Sequence, residues 1–548
     1  MNDQTSKENS RRGDDVPMLV THDFEQPEEQ PLPQGAIRIG EIACYQNSPN
    51  FIAATVLLEP NQSVLPGQFL CALHARRQAS RNIVTIIQVA DCVEINPNEV
   101  PELSTARSRL GLGKNYAGEG LSTRIYRLAI SQTVEELELK PDSWKVLETR
   151  APQNLLRAGD PVVLMPPELV ESTLGTLSSP EDGVHVGQTF GASSAEIALK
   201  PQIFQMGALV CGNPGKGKSY FSGVLLEEAC AWKIPTIVLD VNGEVVEAAK
   251  QLGGLVIQLP NPAQFGLTLN LLTSPELLSI TPGVDPSTNY AQLIELAHER
   301  LKNTNKNSPI SFDELTKKIQ ELGEELDMKR GPTISIAVSR VRKLQNDPLI
   351  GQGFDFIESV KKHQLIVLDC RYLSVRQTQL IAAAAARVLQ GYGREMTRKA
   401  NEEGDKLAAQ WFALLFVDEA HMVVPNDESV VSTQVLYELA RMGRHVRTGL
   451  ILSSQSPADL DPSVLKRLQS RFVFALEKDQ LKAIPGVNAD LHERILEQLP
   501  KLPRGVCAVS GSSELVNHGF LLKVRERKTP VGGKTPPVFS GRTKQAIK

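Results

Sequence analysis

The sequence predicts an α/β protein: a doubly wound sheet with a helical insertion, preceded by a small all-β domain. Three observations predict it. The apolar strand Gly207–Cys211 runs into a Gly-rich loop and a long helix, Ser219–Trp232, and the strand Thr236–Asp240 follows at once. Two later apolar strands, Leu365–Asp369 and Ala413–Val417, each precede a helical stretch, with Thr448–Ser453 as a further strand. This strand–helix–strand order builds parallel sheets. Before all of these, short alternating or apolar runs recur between turn residues, the pattern of a small sandwich or barrel.

In chain order, residues 1–36 lack apolar periodicity, are rich in Asp, Glu, Gln and Pro, and carry a charge of −5. That composition predicts a disordered acidic tail. Residues 37–167 form the expected β-barrel, with strands at Ile37–Tyr45, Phe51–Leu58, Gln68–Leu73, Asn82–Val89, Ile125–Ile130 and Pro161–Leu164. Pro66-Gly67, Asn96-Pro97-Asn98 and Gly159-Asp160 punctuate them, and Leu110–Gly120, with four glycines, reads as a mobile loop. The pattern changes after Pro166-Pro167, so 168–524 is taken as the α/β core, with amphipathic helices at about 276–362 as its insertion. Residues 525–548 form a basic tail.

A chain of 548 residues exceeds one ordinary core and implies two or three domains. Hydrophobic residues at 41% and charged residues at 22% exclude global disorder. The seven cysteines lie far apart with no C-x-x-C pair, which fits reduced thiols in a cytoplasm rather than a disulfide or metal framework. No apolar run reaches the ~20 residues that span a bilayer, and the polar start Met1–Arg12 is unlike a secretory signal. A soluble, cytoplasmic protein without membrane contact is expected. The net charge of −4 excludes a generally basic nucleic-acid binder, yet the last 26 residues carry +7. Such a tail either touches phosphates or is simply solvated.

The chemistry starts at Gly212-Asn213-Pro214-Gly215-Lys216-Gly217-Lys218-Ser219, which matches G-x-x-x-x-G-K-[ST]. Gly212 and Gly217 are expected to allow backbone angles that a side chain forbids, so that N–H groups wrap phosphates. The following helix aims its positive end at the same point. Lys218 would reach the β- and γ-phosphates and Ser219 would ligate Mg²⁺. Hydrolysis needs carboxylates as well. The strand Ala413–Val417 ends in Asp418-Glu419-Ala420-His421, where Asp418 would hold Mg²⁺ and Glu419 would act as general base on the attacking water. After Thr448–Ser453, Gln455 is the candidate for sensing the γ-phosphate or orienting water, against a mere helix-capping turn. No N-K-x-D base-reading motif is present, so ATP is expected rather than GTP. Asp240 and Glu244 either support the Mg²⁺ site or mark a turn at Gly243. Arg441, Arg444 and Arg447 recur every three residues, and an arginine reaching into a neighbour's site would stabilise transition-state charge. The alternative is a solvated helix face.

These residues resemble the HerA branch of the HerA–FtsK hexameric translocases. The matching stretches are G-N-P-G-K-G-K-S from Gly212, D-V-N-G-E from Asp240, F-V-D-E-A-H from Phe416, and A-R-M-G-R-H-V-R-T-G-L-I-L-S-S-Q-S-P-A-D-L-D-P-S-V-L-K-R from Ala440. The run V-R-E-R-K-T-P-V-G-G-K-T-P from Val524 is also similar to that family's C-terminal stretch. The resemblance spans most of 37–537 and implies a RecA-like core, a homo-hexameric ring with nucleotide between neighbours, and ATP-driven movement of double-stranded DNA. It also implies a nuclease or other effector as partner, in DNA end processing or in defence against foreign DNA, and it puts Arg444 first among the three arginines. Two positions depart from the pattern: Lys216 stands where the family often has Ser, and Met206 where it often has His.

Other readings compete with a DNA motor. One is an ATP-dependent switch that gates a partner enzyme without pumping DNA. Another is a conjugation or secretion motor, which usually needs a membrane anchor. The Asp-Glu-Ala-His run also resembles that of DEAH-box helicases, but those carry two RecA-like domains per chain, and one P-loop is present here. For a motor, Lys317, Lys318, Lys329, Arg330, Arg340, Arg342 and Lys343 are the candidate pore residues.

Overall fold

In the β-rich first third, seven strands among the described residues pair into one antiparallel sheet: β1 (Arg38–Ala43), β2 (Ala53–Leu58), β3 (Phe69–Leu73), β4 (Asn82–Ile95), β5 (Tyr126–Leu139), β6 (Val146–Arg150) and β7 (Pro161–Leu164). Their order is β2-β1-β7-β3-β4-β5-β6, and β2 pairs with β5 as well as β1, so the strand order returns on itself. The computed structural model describes residues 35–532 except 46–47, 75–81, 96–125, 141–142, 192–193, 306–307, 328–331, 352 and 485–490. Most of the acidic tail, the Leu110–Gly120 loop, Lys329, Arg330 and the chain from 533 therefore lie outside the described residues.

β5 is longer than the expected Ile125–Ile130 because the acidic run after it is paired rather than solvated. Glu136 is fully buried and accepts from Arg150, from the backbone N–H groups of Gln153 and Asn154, and from the Asn154 amide. These donors hold its carboxyl below the usual range although burial pushes it up.

The second sheet has eleven strands: β8 (Val184–Thr189), β9 (Glu196–Leu199), β10 (Ala208–Cys211), β11 (Thr236–Asp240), β12 (Leu255–Gln258), β13 (Leu365–Asp369), β14 (Ala413–Val417), β15 (Thr448–Ser454), β16 (Ser470–Val473), β17 (Val506–Gly511) and β18 (Phe520–Val524). The order is β12-β13-β11-β14-β15-β10-β16-β17-β18-β8-β9. From β12 to β16 the strands are parallel, and from β16 to β9 they are antiparallel. The sheet is thus mixed rather than wholly parallel. Antiparallel strands need no crossover helix, so the strand–helix–strand pattern gives no sign of them.

β10, β11, β13, β14 and β15 are buried throughout, as strands covered on both faces must be. Alternate residues enter two cores. Ala208, Val210 and Val238 pack with Phe221 and Val224 of the helix Lys218–Ala231, whereas Leu209, Ile237 and Leu239 face the cluster of Leu380 and Ile381 from the helix Val375–Glu402. Among the described residues five helices separate β12 from β13: Ser274–Ile280, Asn289–Thr304, Phe312–Glu325, Thr333–Leu344 and Phe356–His363. Thr273 with Glu276 and Ser311 with Glu314 form capping boxes at two of their starts. The two sheets share one core, in which Phe69, Val84 and Leu137 pack with Val186 and Phe204. The first sheet is also held by a helix of the second half, where Arg494 Nη1 of the helix Glu493–Gln498 lies 2.9 Å from Asp91 Oδ2 of β4. Among the described residues no helix is long and apolar enough to cross a membrane.

Candidate active site

β10 ends at Cys211 and the loop that follows is fixed by backbone contacts. The Asn213 N–H donates to Ala475 O at 2.9 Å, and the Gly505 N–H donates to Lys216 O at 2.9 Å. Gly212 is required for a different reason than backbone freedom. A Cβ there would lie 2.5 Å from the Phe474 Cβ, whereas Gly215 (φ 76°) and Gly217 (φ 122°) supply the left-handed angles. No side chain caps the helix that begins at Lys218. Its first N–H groups therefore have no side-chain cap, an arrangement that suits an anion.

Lys218, only 4% exposed, reaches across β15 to the tip of β14. Its Nζ lies 3.3 Å from Asp418 Oδ1 and 3.1 Å from Glu419 Oε1, joining residues 200 positions apart. Burial alone would lower the lysine pKa, but Asp418, Glu419 and Glu244 outweigh it and raise it. Asp418 is pushed up to about 7, chiefly by burial, with Lys218 opposing and Glu244, Glu419 and Asp240 adding to the rise. Its Oδ2 is buried without a hydrogen-bond partner, as is Glu419 Oε2. Glu419 itself is left-handed (φ 47°, ψ 52°), a conformation uncommon for a side-chain-bearing residue. Its Oε1 also accepts from Asn242 Nδ2 at 3.0 Å and from Gln455 Nε2. His421 Nδ1 stands 3.5 Å from Oε2.

The structure thus brings Lys218, Asp418, Glu419 and Gln455 together, with half-buried Ser219 beside Lys218 on the same helix turn. Asp240 is tied into a turn. Its two oxygens accept from the N–H groups of Gly243, Glu244 and Val245, so it shapes the turn after β11. Arg444 lies outside the cluster of its own chain. The cluster sits at the C-terminal ends of the parallel strands, while Arg444 precedes the start of β15 and pairs with Glu514 at 2.6 Å, both exposed. Arg441 lies over the Tyr437 ring, and Arg447 donates to Ala409 O.

Two features escape sequence reasoning. Asn242 lies within a quoted motif, yet only the adjacency of β11 and β14 shows that it touches Glu419. The start of the basic tail is docked rather than free. The Arg525 side chain is 7% exposed and pairs with Glu227 and Glu228, both at 2.8 Å, on the helix Lys218–Ala231. Arg527 donates to Ser219 O, and Thr529 to Glu227. Of the candidate pore residues, Lys318 pairs with Glu321, Arg340 donates to Pro282 O, and Arg342 and Lys343 line an open groove with Gln320 and Ser335.

Comparison with known proteins gives three kinds of finding. Residues 184–389 match the family model DUF87, described as helicase HerA, central domain. The DNA double-strand break repair helicase HerA of Sulfurisphaera tokodaii is 23% identical over 399 residues, covering 69% of this chain and 75% of its own. Its namesake from Sulfolobus acidocaldarius is 24% identical over 412 residues, with coverage of 69% and 75%. The solved structure of VirB4 from Thermoanaerobacter pseudethanolicus aligns with 63% of this chain and 97% of its own, at 17% identity and a TM-score of 0.47. The resemblance carried by the motifs therefore holds: residues 184–389 are similar to the HerA central domain, and the similarity to named HerA helicases extends over 69% of the chain.

Proposed function

We propose that this protein is an ATP-hydrolysing ring motor that moves double-stranded DNA. The observation that carries the reading is the seating of Lys218 on Asp418 and Glu419 beside the glycine loop. A buried cation held by two carboxylates, next to uncapped helix N–H groups, is a site waiting for phosphate. ATP would draw Lys218 onto its β- and γ-phosphates and leave the carboxylates free. Magnesium is usually held by one or two carboxylates plus substrate phosphates, which suits Ser219 and Asp418, whose Oδ2 lacks a partner. When bound, the ion supplies positive charge against the phosphate oxygens. Glu419 would take a proton from the attacking water, and Gln455 would orient that water or sense the γ-phosphate.

The remaining parts of the proposal follow from the resemblance. The α/β sheet would be a RecA-like core, and the antiparallel sheet of 38–164 a small closed β-domain in front of it. The subunits would form a hexamer in the cytoplasm, with Arg444 entering the neighbour's site. Relatives named as double-strand break repair helicases favour DNA end processing, with a nuclease or other effector as partner.

The test is steady-state ATP hydrolysis by the purified oligomer, with and without long linear duplex. Phosphate contacts are indifferent to sequence and weaken steeply with salt. Duplex of any sequence is therefore expected to raise the rate at low salt, and less so at high salt. A rate unmoved by DNA under both conditions would reject the translocase and favour a switch that answers only to a protein partner.

A further inference from the structure

We infer that Asn242 is a positioning residue for Glu419, an inference that rests on reading Glu419 as the general base. Asn242 sits on the turn between β11 and the helix Val246–Gln251. Asp240 fixes that turn by accepting from three successive N–H groups. Gly243, at φ 72°, lies so close beneath Arg371 that a Cβ would be 2.6 Å from its Nε. Arg371 is in turn tied to Asp369 at 2.9 and 2.6 Å. The turn is therefore held from several sides, and β11 pairs directly with β14, so its tip meets the tip that carries Glu419.

Across that junction Asn242 Nδ2 donates to Glu419 Oε1 at 3.0 Å. The amide nitrogen is the donor and the carboxylate oxygen the acceptor. Glu419 is held asymmetrically: Oε1 takes Lys218, Asn242 and Gln455, whereas Oε2 is buried, makes no hydrogen bond and has His421 Nδ1 3.5 Å away. Oε2, which makes no hydrogen bond, is the oxygen left to accept a proton from water. Of the three donors, Lys218 is the one a phosphate would draw away, and Gln455 has its own task at the γ-phosphate. Asn242 remains to keep Oε1 anchored and Oε2 presented. It is neutral and transfers no proton itself. The left-handed backbone of Glu419 is uncommon for a side-chain-bearing residue and depends on its surroundings to persist.

The experiment measures kcat and KM for ATP, and the affinity for a fluorescent ATP analogue, in Asn242→Ala and Asn242→Asp. Each is made in the wild-type protein and in Glu419→Gln, with residual hydrolysis followed in single turnover. Loss of one hydrogen bond to a charged group is expected to lower kcat by about 10- to 100-fold, with KM and analogue affinity unchanged. Asn242→Asp, nearly isosteric, is expected to fall further because its carboxylate repels Glu419, and it keeps the test open where the alanine variant melts. In Glu419→Gln, Asn242→Ala is expected to add no further loss, because the group it acts through is gone. Unchanged kcat, full activity in Asn242→Asp, or an equal loss in both backgrounds would overturn the assignment. Near wild-type hydrolysis by Glu419→Gln alone would instead overturn the general-base reading beneath it.

Discussion

Lys218 and Glu419 share one contact, and the proposed mechanism assigns them different steps. Lys218→Ala is expected to abolish nucleotide binding, measured by titration with a fluorescent analogue, because it removes the phosphate-seeking cation from between Asp418 and Glu419. Glu419→Gln keeps the shape but cannot take a proton. It is expected to bind ATP and retain it unhydrolysed, with a rate loss on the order of 10²–10⁴-fold in a quenched single-turnover assay. Hydrolysis by Glu419→Gln at near wild-type rate would show that another group activates water. Gly212→Ala tests the loop differently. Its new methyl would meet Phe474 at 2.5 Å, so the loop must shift and nucleotide affinity is expected to fall while the chain stays folded.

At the scale of elements, the segment after β18 is a structural strap over the phosphate-loop helix. Arg525→Ala would leave Glu227 and Glu228 largely buried and missing their cation. Breaking a buried pair typically costs about 3–5 kcal/mol, so a clear drop in melting temperature is expected. An unchanged melting temperature would show that the strap is only laid on the surface. The helical segment between β12 and β13 carries its own pH signature. His298 is fully buried, with Nε2 on Leu269 O at 2.8 Å and Nδ1 near Ser274 Oγ at 2.9 Å. Burial lowers its pKa, with Lys302 acting in the same direction and the Leu269 carbonyl, Glu299 and Glu276 opposing. A depressed histidine pKa favours the folded state above the unfolded value of about 6.5. That stability is lost as pH falls below it, because the unfolded chain binds the proton first. Melting temperature is therefore expected to decline from pH 7 to 5, and less steeply in His298→Gln.

For the whole molecule, the position of Arg444 decides what an oligomer must do. It lies at the opposite edge of the parallel strands from the Lys218 cluster, on an exposed pair with Glu514 that contributes little by itself. If it completes a neighbour's site, Arg444→Ala and Lys218→Ala proteins are each inactive alone. Mixed in verified rings, they are expected to recover some hydrolysis, because each supplies what the other lacks. No recovery in such rings would leave Arg444 a surface residue of its own subunit.

The glycine loop, the strand-end carboxylates and the alternation of buried strands with helices were legible in the sequence, because each rests on local rules. Glycine spacing, apolar runs and strand-tip acids need no knowledge of distant partners, and the strands of the parallel core fall where those runs lie. The acidic end of β5, the antiparallel extension through β17, β18, β8 and β9, and the docking of Arg525 were decided elsewhere. Each depends on a partner far along the chain: Arg150 and Asn154 for Glu136, neighbouring strands for the sheet edge, Glu227 and Glu228 for Arg525. The same holds for Asn242. Its motif was visible, but its role depends on β11 lying beside β14, and strand order is fixed by packing rather than by any local pattern.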